Sequence, residues 1–245
     1  MKGENRLKIL VIDIGGTHVK LLATGQEIVR KIDSGLNMTA ERMAKEVKEL
    51  AADWEHDVIS VGYPSFAFRG RPVCEPANLG EGWVGFNFEK AFGCPARLVN
   101  DAAMQAVGSY VGGRMLFLGL GTGLGAAVVM NGVLEPLELA HLTYKKGKSF
   151  EEFVGLRGLE KLGKKTWRSY VDEITEQLKR ALDVEYVVLG GGNARLLKEL
   201  PDGARLGNNE NAFIGGYRLW ESCEWTSSGQ IIIAEESWKD GKEGV

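Results

Sequence analysis

Two apolar runs separated by a short polar turn open the chain. Residues 7–14 and 18–24 are rich in Leu, Ile and Val, which favour β-strands, and the turn between them reads DIGGT. The pattern predicts a β-hairpin. Residues 114–134 repeat it, with an apolar run, the turn GLGTGLG and a second apolar run. We therefore predict a second hairpin near the middle of the chain.

Other stretches alternate between helical and strand patterns. Helical spacing predicts helices over 38–54, from residue 101 to the Gly112-Gly113 pair, over 166–182, from about Asn193, and over 211–220. The apolar positions that carry the three longest patterns are Met43, Val47, Leu50, Trp54, Met104, Val107, Val111, Trp167, Val171, Ile174 and Leu178. Strands are predicted at DVISVGYP, just before Asn100, and at YVVLG.

Alternation of strands and helices predicts an α/β layer architecture. Because the second hairpin begins a second series of like order, we predict a duplicated domain, with halves 1–113 and 114–245 and a cleft between them. The alternative is that two strand–glycine–strand units arose by chance, as any α/β protein can contain them. Residues 221–245 are predicted to be peripheral, although QIIIAEE can form a strand.

Composition narrows the function. The chain has 245 residues, 44% of them hydrophobic and 26% charged, and a net charge of −3, so there is no electrostatic reason to expect nucleic acid or an anionic membrane. Three cysteines without CxxC spacing indicate neither a disulfide framework nor a cysteine zinc site. With no signal peptide and no apolar stretch long enough for a membrane span, we predict a cytoplasmic protein with a small-molecule partner.

Three glycine-rich turns, DIGGT at 13–17, GLGTGLG at 119–125 and LGGGN at 189–193, each follow an apolar run. Glycine permits positive φ and lets backbone amides approach an anion, so three such turns favour a phosphate ligand over glycines that only serve their turns. GTGLGA fits a dinucleotide fingerprint, but a strand-like sequence follows it where a helix is required. GLEKLGKK lacks the Ser or Thr of a P-loop and is interpreted as a helix end and loop.

Two acidic residues stand at turns. Asp13 precedes the first glycines and is a candidate Mg²⁺ ligand, directly or through water; alternatively it caps the turn. Asp101 follows a strand end and begins a helix. It is a candidate base for a hydroxyl that attacks a phosphoryl group, and the alternative is a helix N-cap.

Polar residues in two further segments suit a polyol. The segment ELAH places Glu138 and His141 three residues apart, so the two side chains can bind a polyol together. A metal site there has weaker support, because no second histidine is near in the sequence. The loop EPANLGEGWVGFN contributes Asn78 and Trp83, which fit either sugar contacts or an ordinary packed loop.

Taken in order, DIGGTHVK, VNDAA, GLGTGLGAAVVMNGVLEP, ELAH and LGGGN resemble the ROK-family sugar kinases, which have the actin-like fold. The likeness is to the zinc-free polyphosphate glucokinase branch, which has segments similar to ANLGEGWVGFNFEKAFGCP and KGKSFEEF. It covers residues 7 to 220. The resemblance implies two duplicated actin-like (ribonuclease H-like) domains with an interdomain cleft, and a homodimer is compatible with it.

The resemblance also implies roles for individual residues. Asp101 would be the catalytic base that accepts the proton of the sugar 6-hydroxyl. The implied sugar-binding residues are Asn78, Asn100, Asp101, Glu138, His141 and Glu151. The implied donor-binding residues are Asp13, Gly15, Gly16, Thr17, Lys20, Gly121, Thr122, Gly123, Gly190, Gly191 and Gly192. The donor would be ATP or polyphosphate with Mg²⁺ at Asp13, and no zinc site is expected because the cysteine-rich segment is absent.

Two departures from the family pattern leave the substrate open. Ser65 and Ala140 stand where the family usually has glycine. Ser65 is therefore expected to crowd the backbone near the sugar, and Ala140 to be strained if its φ is positive. One alternative is therefore a kinase for an amino sugar or another polyol. A second alternative is a non-catalytic sugar-binding regulator, since the family also contains repressors. Only MKGENR precedes the first strand, which argues against the DNA-binding segment of the family's repressors.

Overall fold

The computed structural model describes residues 7–208 and 210–235. The segments MKGENR and KDGKEGV therefore lie outside the described residues. Within the described part, the chain divides into two compact units, one of residues 7–101 with Leu219–Glu221 and the other of Ala102–Arg218 with residues 222–235. No helix in the described ranges is long and apolar enough to cross a membrane.

The first unit is built on a five-stranded mixed sheet. Its elements are β1 (Ile9–Ile14), β2 (His18–Ala23), β3 (Arg30–Asp33), α1 (Ala40–Leu50), β4 (Val58–Tyr63), β5 (Ala67–Phe68), β6 (Arg71–Pro72), α2 (Phe88–Phe92) and β7 (Ala96–Asn100). The strand order is β3-β2-β1-β4-β7, in which β1, β2 and β3 are antiparallel neighbours and β4 and β7 run parallel to β1. Every residue of β1 and β4 is buried, as their continuous apolar sequences require.

The second unit has a larger sheet. Its elements are α3 (Asp101–Ser109), β8 (Arg114–Leu120), β9 (Leu124–Met130), β10 (Val133–Leu137), β11 (Thr143–Lys145), β12 (Lys148–Ser149), α4 (Phe150–Val154), α5 (Leu156–Ala181), β13 (Tyr186–Gly190), β14 (Ala204–Leu206), α6 (Asn211–Glu221), β15 (Cys223–Trp225) and β16 (Ile231–Ile233). Asp101 and the end of α6 are the parts of these elements that belong to the first unit. The order is β14-β13-β8-β9-β10-β16-β15.

Five strands of the second sheet repeat the arrangement of the first. β8, β9 and β10 are consecutive antiparallel strands, and β13 and β14 run parallel to β8. When the sheet strands of each unit are numbered in chain order, the first sheet has the order third, second, first, fourth, fifth. The strands β10-β9-β8-β13-β14 of the second sheet have the same order. The two predicted hairpins, β1–β2 and β8–β9, occupy the same place in this order.

The long helix α5 covers the second sheet. Trp167 is fully buried in the core, and its indole N–H donates to the carbonyl of Val154 at 2.8 Å. The helix starts ten residues before the predicted 166, and Gly163 (φ 73°, ψ 158°) interrupts it. The segment GLEKLGKK is accordingly helical on both sides of a break, rather than a helix end followed by a loop.

Some predicted elements differ from the structure. The helix predicted from Asn193 is wrong: the chain forms a single 3₁₀ turn, Ala194–Leu196, and becomes extended at Leu197. The backbone amide of Asn193 donates to Leu120, which bends the segment, and Pro201 follows shortly afterwards. QIIIAEE does form a strand, β16, which pairs with β10. Strand β3, with the sequence RKID, was not predicted because it is an edge strand with no apolar alternation.

Candidate functional site

The turn between β1 and β2 is closed by its own backbone. The Gly15 amide donates to the carbonyl of His18 at 2.9 Å. Ser34 holds the turn from outside, because its hydroxyl donates to the Gly15 carbonyl at 2.6 Å and its amide donates to the Thr17 carbonyl at 2.9 Å. Among the described residues, the amides of Gly16 and Thr17 have no protein acceptor. These two amides, rather than that of Gly15, are available to an anion.

Asp13 lies at the end of β1, directly opposite Lys20 in the hairpin register. Its carboxylate is 3.6 Å from the Lys20 ammonium and only 8% of the residue is exposed. Burial raises the pKa of Asp13, because it disfavours the charged form, and the charge of Lys20 opposes that rise.

The residues around Asp13 can be tested as a Mg²⁺ site. No group of three or more His, Cys, Asp or Glu side chains suited to a metal occurs in the described ranges. Mg²⁺ at phosphate-transfer sites takes one or two carboxylates and completes its shell with water and phosphate oxygens. A single carboxylate beside a turn with open amides fits that sparse donor set, so Asp13 can hold Mg²⁺ together with a bound phosphate.

The loop that carries Asn78 reaches the first turn. A Cβ added to Gly16 would lie 3.1 Å from the Cβ of Asn78, which is an exposed residue. Trp83 in the same loop is fully buried and packs against Tyr63, with ring centroids 5.7 Å apart. The structure therefore brings Asn78 to the candidate site, whereas the burial of Trp83 favours the packed-loop alternative for that residue.

Asn100 and Asp101 stand where β7 passes into α3. The Asn100 side-chain amide donates to the carbonyl of Ser65 at 3.3 Å, and the Ser65 hydroxyl donates to the carbonyl of Glu75 at 3.4 Å. Asp101 is the first residue of α3. Ser65 is thus a neighbour of Asn100, and its backbone φ is negative, so serine is not strained at this position.

The second and third glycine turns pack on each other. The Asn193 side-chain amide donates to the carbonyl of Gly121 at 3.0 Å, and its backbone amide donates to that of Leu120 at 2.9 Å. Gly191 has φ +82°, and a Cβ there would overlap the Leu120 backbone. A Cβ at Gly121 or at Gly192 would instead face open space. The two turns therefore form one surface with room for a ligand.

Positive φ is not the main reason for glycine in these three turns. Gly191 is the one candidate donor-binding glycine whose φ lies in the left-handed region; the others are Gly15, Gly16, Gly121, Gly123, Gly190 and Gly192. Elsewhere the missing Cβ matters through the space that it leaves, as at Gly190, where a Cβ would overlap the ring of Phe117.

The ELAH segment is a turn after β10, not a helix. Partial desolvation raises the pKa of Glu138, the charge of His141 opposes that rise, and the charge of Glu151 adds to it. Ala140 is buried and its φ is negative, so the anticipated strain is absent. The Glu151 amide donates to the Ala140 carbonyl at 3.1 Å, and its carboxylate accepts from the Leu124 amide at 3.1 Å.

The sequence reasoning missed two residues that shape these turns. Ser34, the residue after β3, contacts the first turn, and nothing in its local sequence signals that contact. Asn193 ends the motif LGGGN, and an amide side chain directly after a glycine run is a sequence signal for such a contact.

Comparison with known proteins identifies the family. The sequence model described as "ROK family" matches residues 9–135. The chain belongs to the ROK family. The family resemblance of the motifs is thereby confirmed, and the mixed α/β fold agrees with the ROK structures described next.

Three known proteins show what this chain is similar to. Polyphosphate glucokinase from Mycobacterium leprae (strain TN) is 28% identical to this chain over 207 residues, which are 75% of this chain. The matched part is 63% of that protein, so the chain spans less than two thirds of its length. The structure of inorganic polyphosphate/ATP-glucomannokinase from Arthrobacter sp. strain KM superposes with a TM-score of 0.74 at 23% identity, covering 86% of this chain and 96% of that one. A ROK family transcriptional regulator, a homolog of the E. coli MLC protein, gives a TM-score of 0.62 at 15% identity, covering 86% and 76%.

Proposed function

We propose that this protein is a sugar kinase that transfers a phosphoryl group from ATP or polyphosphate to the 6-hydroxyl of glucose or a related hexose. The observation that carries the proposal is the pair of hairpin turns at the same position of two like sheets. Among the described residues, each turn leaves two amides without a protein acceptor, Gly16 and Thr17 in one and Thr122 and Gly123 in the other. Such amides bind phosphate oxygens.

Roles follow from the chemistry of the side chains. Asp101 would accept the proton of the attacking hydroxyl, while Asn78, Asn100, Glu138 and His141 would hold the sugar. Mg²⁺, when bound at Asp13, supplies positive charge that neutralises the phosphate oxygens. Lys20, opposite Asp13, would add a second positive charge on the donor side.

The like strand order of the two sheets supports the predicted duplication. The boundary after residue 113, the interdomain cleft, the homodimer and the cytoplasmic location stay predictions. If the substrates do bind in such a cleft, closure would exclude water and limit hydrolysis of the donor.

A cluster of positive charge favours polyphosphate as the donor. The first half of α5 carries Arg157, Lys161, Lys164 and Lys165, all exposed and none in an ion pair within the described part of the chain. The helix begins beside the second turn, where the Leu156 amide donates to the Thr122 carbonyl at 3.2 Å. A phosphate chain longer than that of ATP would gain more from these charges, and the gain would be screened by salt.

The test is a coupled assay of the purified protein over a panel of hexoses with ATP and with polyphosphates of increasing length. We expect transfer to at least one hexose, a donor KM that falls with chain length and rises with salt, and a kcat for Asp101→Asn that is about 10²- to 10⁴-fold lower. Asp172→Asn, an exposed acid on α5, is the matched control and is expected to match the wild type. Full activity of Asp101→Asn would exclude it as the base.

The likeness to a transcriptional regulator favours one second candidate, a sugar-binding protein without catalysis. The thermal shift with each sugar, compared with the transfer assay, separates the two functions. A bound ligand stabilises the fold whether or not transfer occurs, so the thermal shift reports binding alone. Stabilisation without transfer from any donor would favour the regulator. Amino sugars and other polyols added to the panel test the remaining alternative, which is suggested by the position of Ser65 beside Asn100.

A further inference from the structure

Glu151 reaches from α4 into the turn between β8 and β9. Its carboxylate accepts the Leu124 amide at 3.1 Å, across 27 residues of sequence. This hydrogen bond orients the peptide between Gly123 and Leu124. The two open amides of the turn, Thr122 and Gly123, are the groups directly before that peptide.

Two glycines leave the space that Glu151 occupies. A Cβ at Gly123 would overlap the Glu151 carboxylate oxygen, and one at Gly155 would lie 3.1 Å from the Glu151 Cγ and 2.9 Å from its carbonyl oxygen. The Gly155 amide also donates to that carbonyl at 2.8 Å. Neither glycine has a positive φ, so the close approach of Glu151 is what a side chain there would disturb.

The same residue contacts the ELAH segment. Its amide donates to the Ala140 carbonyl at 3.1 Å, and its charge is one of the influences that raise the pKa of Glu138. Two carboxylates close together repel each other. Sugar hydroxyls that donate to Glu138 would offset part of its negative charge, which weakens its repulsion of Glu151 and lets the Glu151 carboxylate stay on the Leu124 amide.

We propose that Glu151 is a positioning residue that holds the turn Gly121–Leu124 in its anion-binding shape and makes the binding of donor and sugar mutually reinforcing. The inference rests on the proposed function and deepens it, since the family resemblance assigns Glu151 to the sugar alone. By linkage, a sugar that strengthens donor binding must itself be bound more tightly when the donor is present.

The test uses three single variants, the double variant Glu151→Ala with Gly123→Ala, and one control, all in the full chain. Glu151→Ala removes the acceptor, Gly123→Ala displaces it, and Glu151→Gln keeps an oxygen that can accept the Leu124 amide. Glu152→Gln is the control, because its neighbouring carboxylate only caps α4 through Ser149. The readouts are the KM of donor and sugar, kcat, and the thermal shift produced by tripolyphosphate with and without glucose.

We expect Glu151→Ala and Gly123→Ala to raise the donor KM about tenfold or more, the effect of losing one hydrogen bond to a charged group. The extra thermal shift that glucose and tripolyphosphate produce together should disappear in both. Glu151→Gln should recover most of the donor KM, and Glu152→Gln should leave it unchanged. The double variant should be no worse than either single one, because both break the same contact.

A donor KM unchanged by Glu151→Ala, with only the sugar KM raised, would overturn the inference and leave Glu151 a sugar contact. If the wild type transfers phosphate to no sugar, the proposed function fails instead. The thermal shifts then decide the positioning role without turnover: loss of the joint effect in Glu151→Ala upholds it, and an intact joint effect refutes it. Should Gly123→Ala not fold, the comparison of Glu151→Ala with Glu151→Gln decides.

Discussion

The two hairpin turns lie at the same position of like sheets, yet they obtain their charges differently. In the first hairpin the second residue pair from the turn is Asp13 and Lys20. In the second hairpin the corresponding pair is Gly119 and Gly125. The first turn thus has its own ion pair, whereas the second receives its carboxylate from Glu151 on α4.

The packing around the second hairpin explains the difference. A Cβ added to Gly125 would lie 2.9 Å from the Cβ of Ala102 in the first turn of α3. A charged side chain there would need space that the helix occupies. The same strand arrangement can therefore hold two glycine turns of different electrostatics, because tertiary packing decides which side chain brings charge to each turn.

The largest effect is expected from removing the charge that the first hairpin supplies. Asp13→Asn keeps the shape of the side chain but loses the carboxylate proposed to hold Mg²⁺. We expect kcat to fall on the order of 10³-fold, as for the loss of one preorganised electrostatic group. The measurement is steady-state kinetics at saturating Mg²⁺.

The matched control for that experiment is Asp33→Asn. Asp33 is an acid of the same sheet whose side chain is almost completely exposed beside His18, so its loss should leave kcat within about twofold. Comparable activity of Asp13→Asn and the wild type would show that the two turns do not differ in the proposed way.

Some of this arrangement was predictable from the sequence and some was not. The hairpins β1–β2 and β8–β9 follow from local apolar runs and glycine turns, and the periodicity around Trp167 follows from the burial of one helix face. The contact from Glu151 to Leu124 depends on side-chain reach across the fold, for which no local pattern exists. The helix predicted from Asn193 failed for the same reason, since a tertiary hydrogen bond to Leu120 overrides local propensity.

The support of the second turn can be tested with two adjacent glycines. In Gly191→Ala, the new methyl group would overlap the Leu120 backbone at φ +82°, so we expect the free energy of unfolding to fall by about 2 kcal/mol. Gly192→Ala places its methyl group in open space and should change that free energy by less than about 0.5 kcal/mol, while raising the donor KM by crowding the ligand. Denaturant unfolding and donor kinetics measure the two effects. Equal loss of stability in both variants would contradict the packing described for Leu120.

The smallest expected effect is a pH dependence that the buried acid gives to the first hairpin alone. Burial raises the pKa of Asp13 in the folded protein above its unfolded value of about 3.9. Below that value the Asp13 carboxyl is protonated in both the folded and the unfolded state. Above it the unfolded chain loses this proton first, so the folded state binds more protons. The free energy of unfolding therefore falls as pH rises through the folded pKa. Asp13→Asn removes this loss, and its free energy of unfolding relative to the wild type should increase from pH 4 towards neutral pH and then become constant. Urea unfolding at a series of pH values measures the difference. A difference that decreases over this range would mean that Lys20 outweighs burial, and the ion pair would then stabilise the first hairpin.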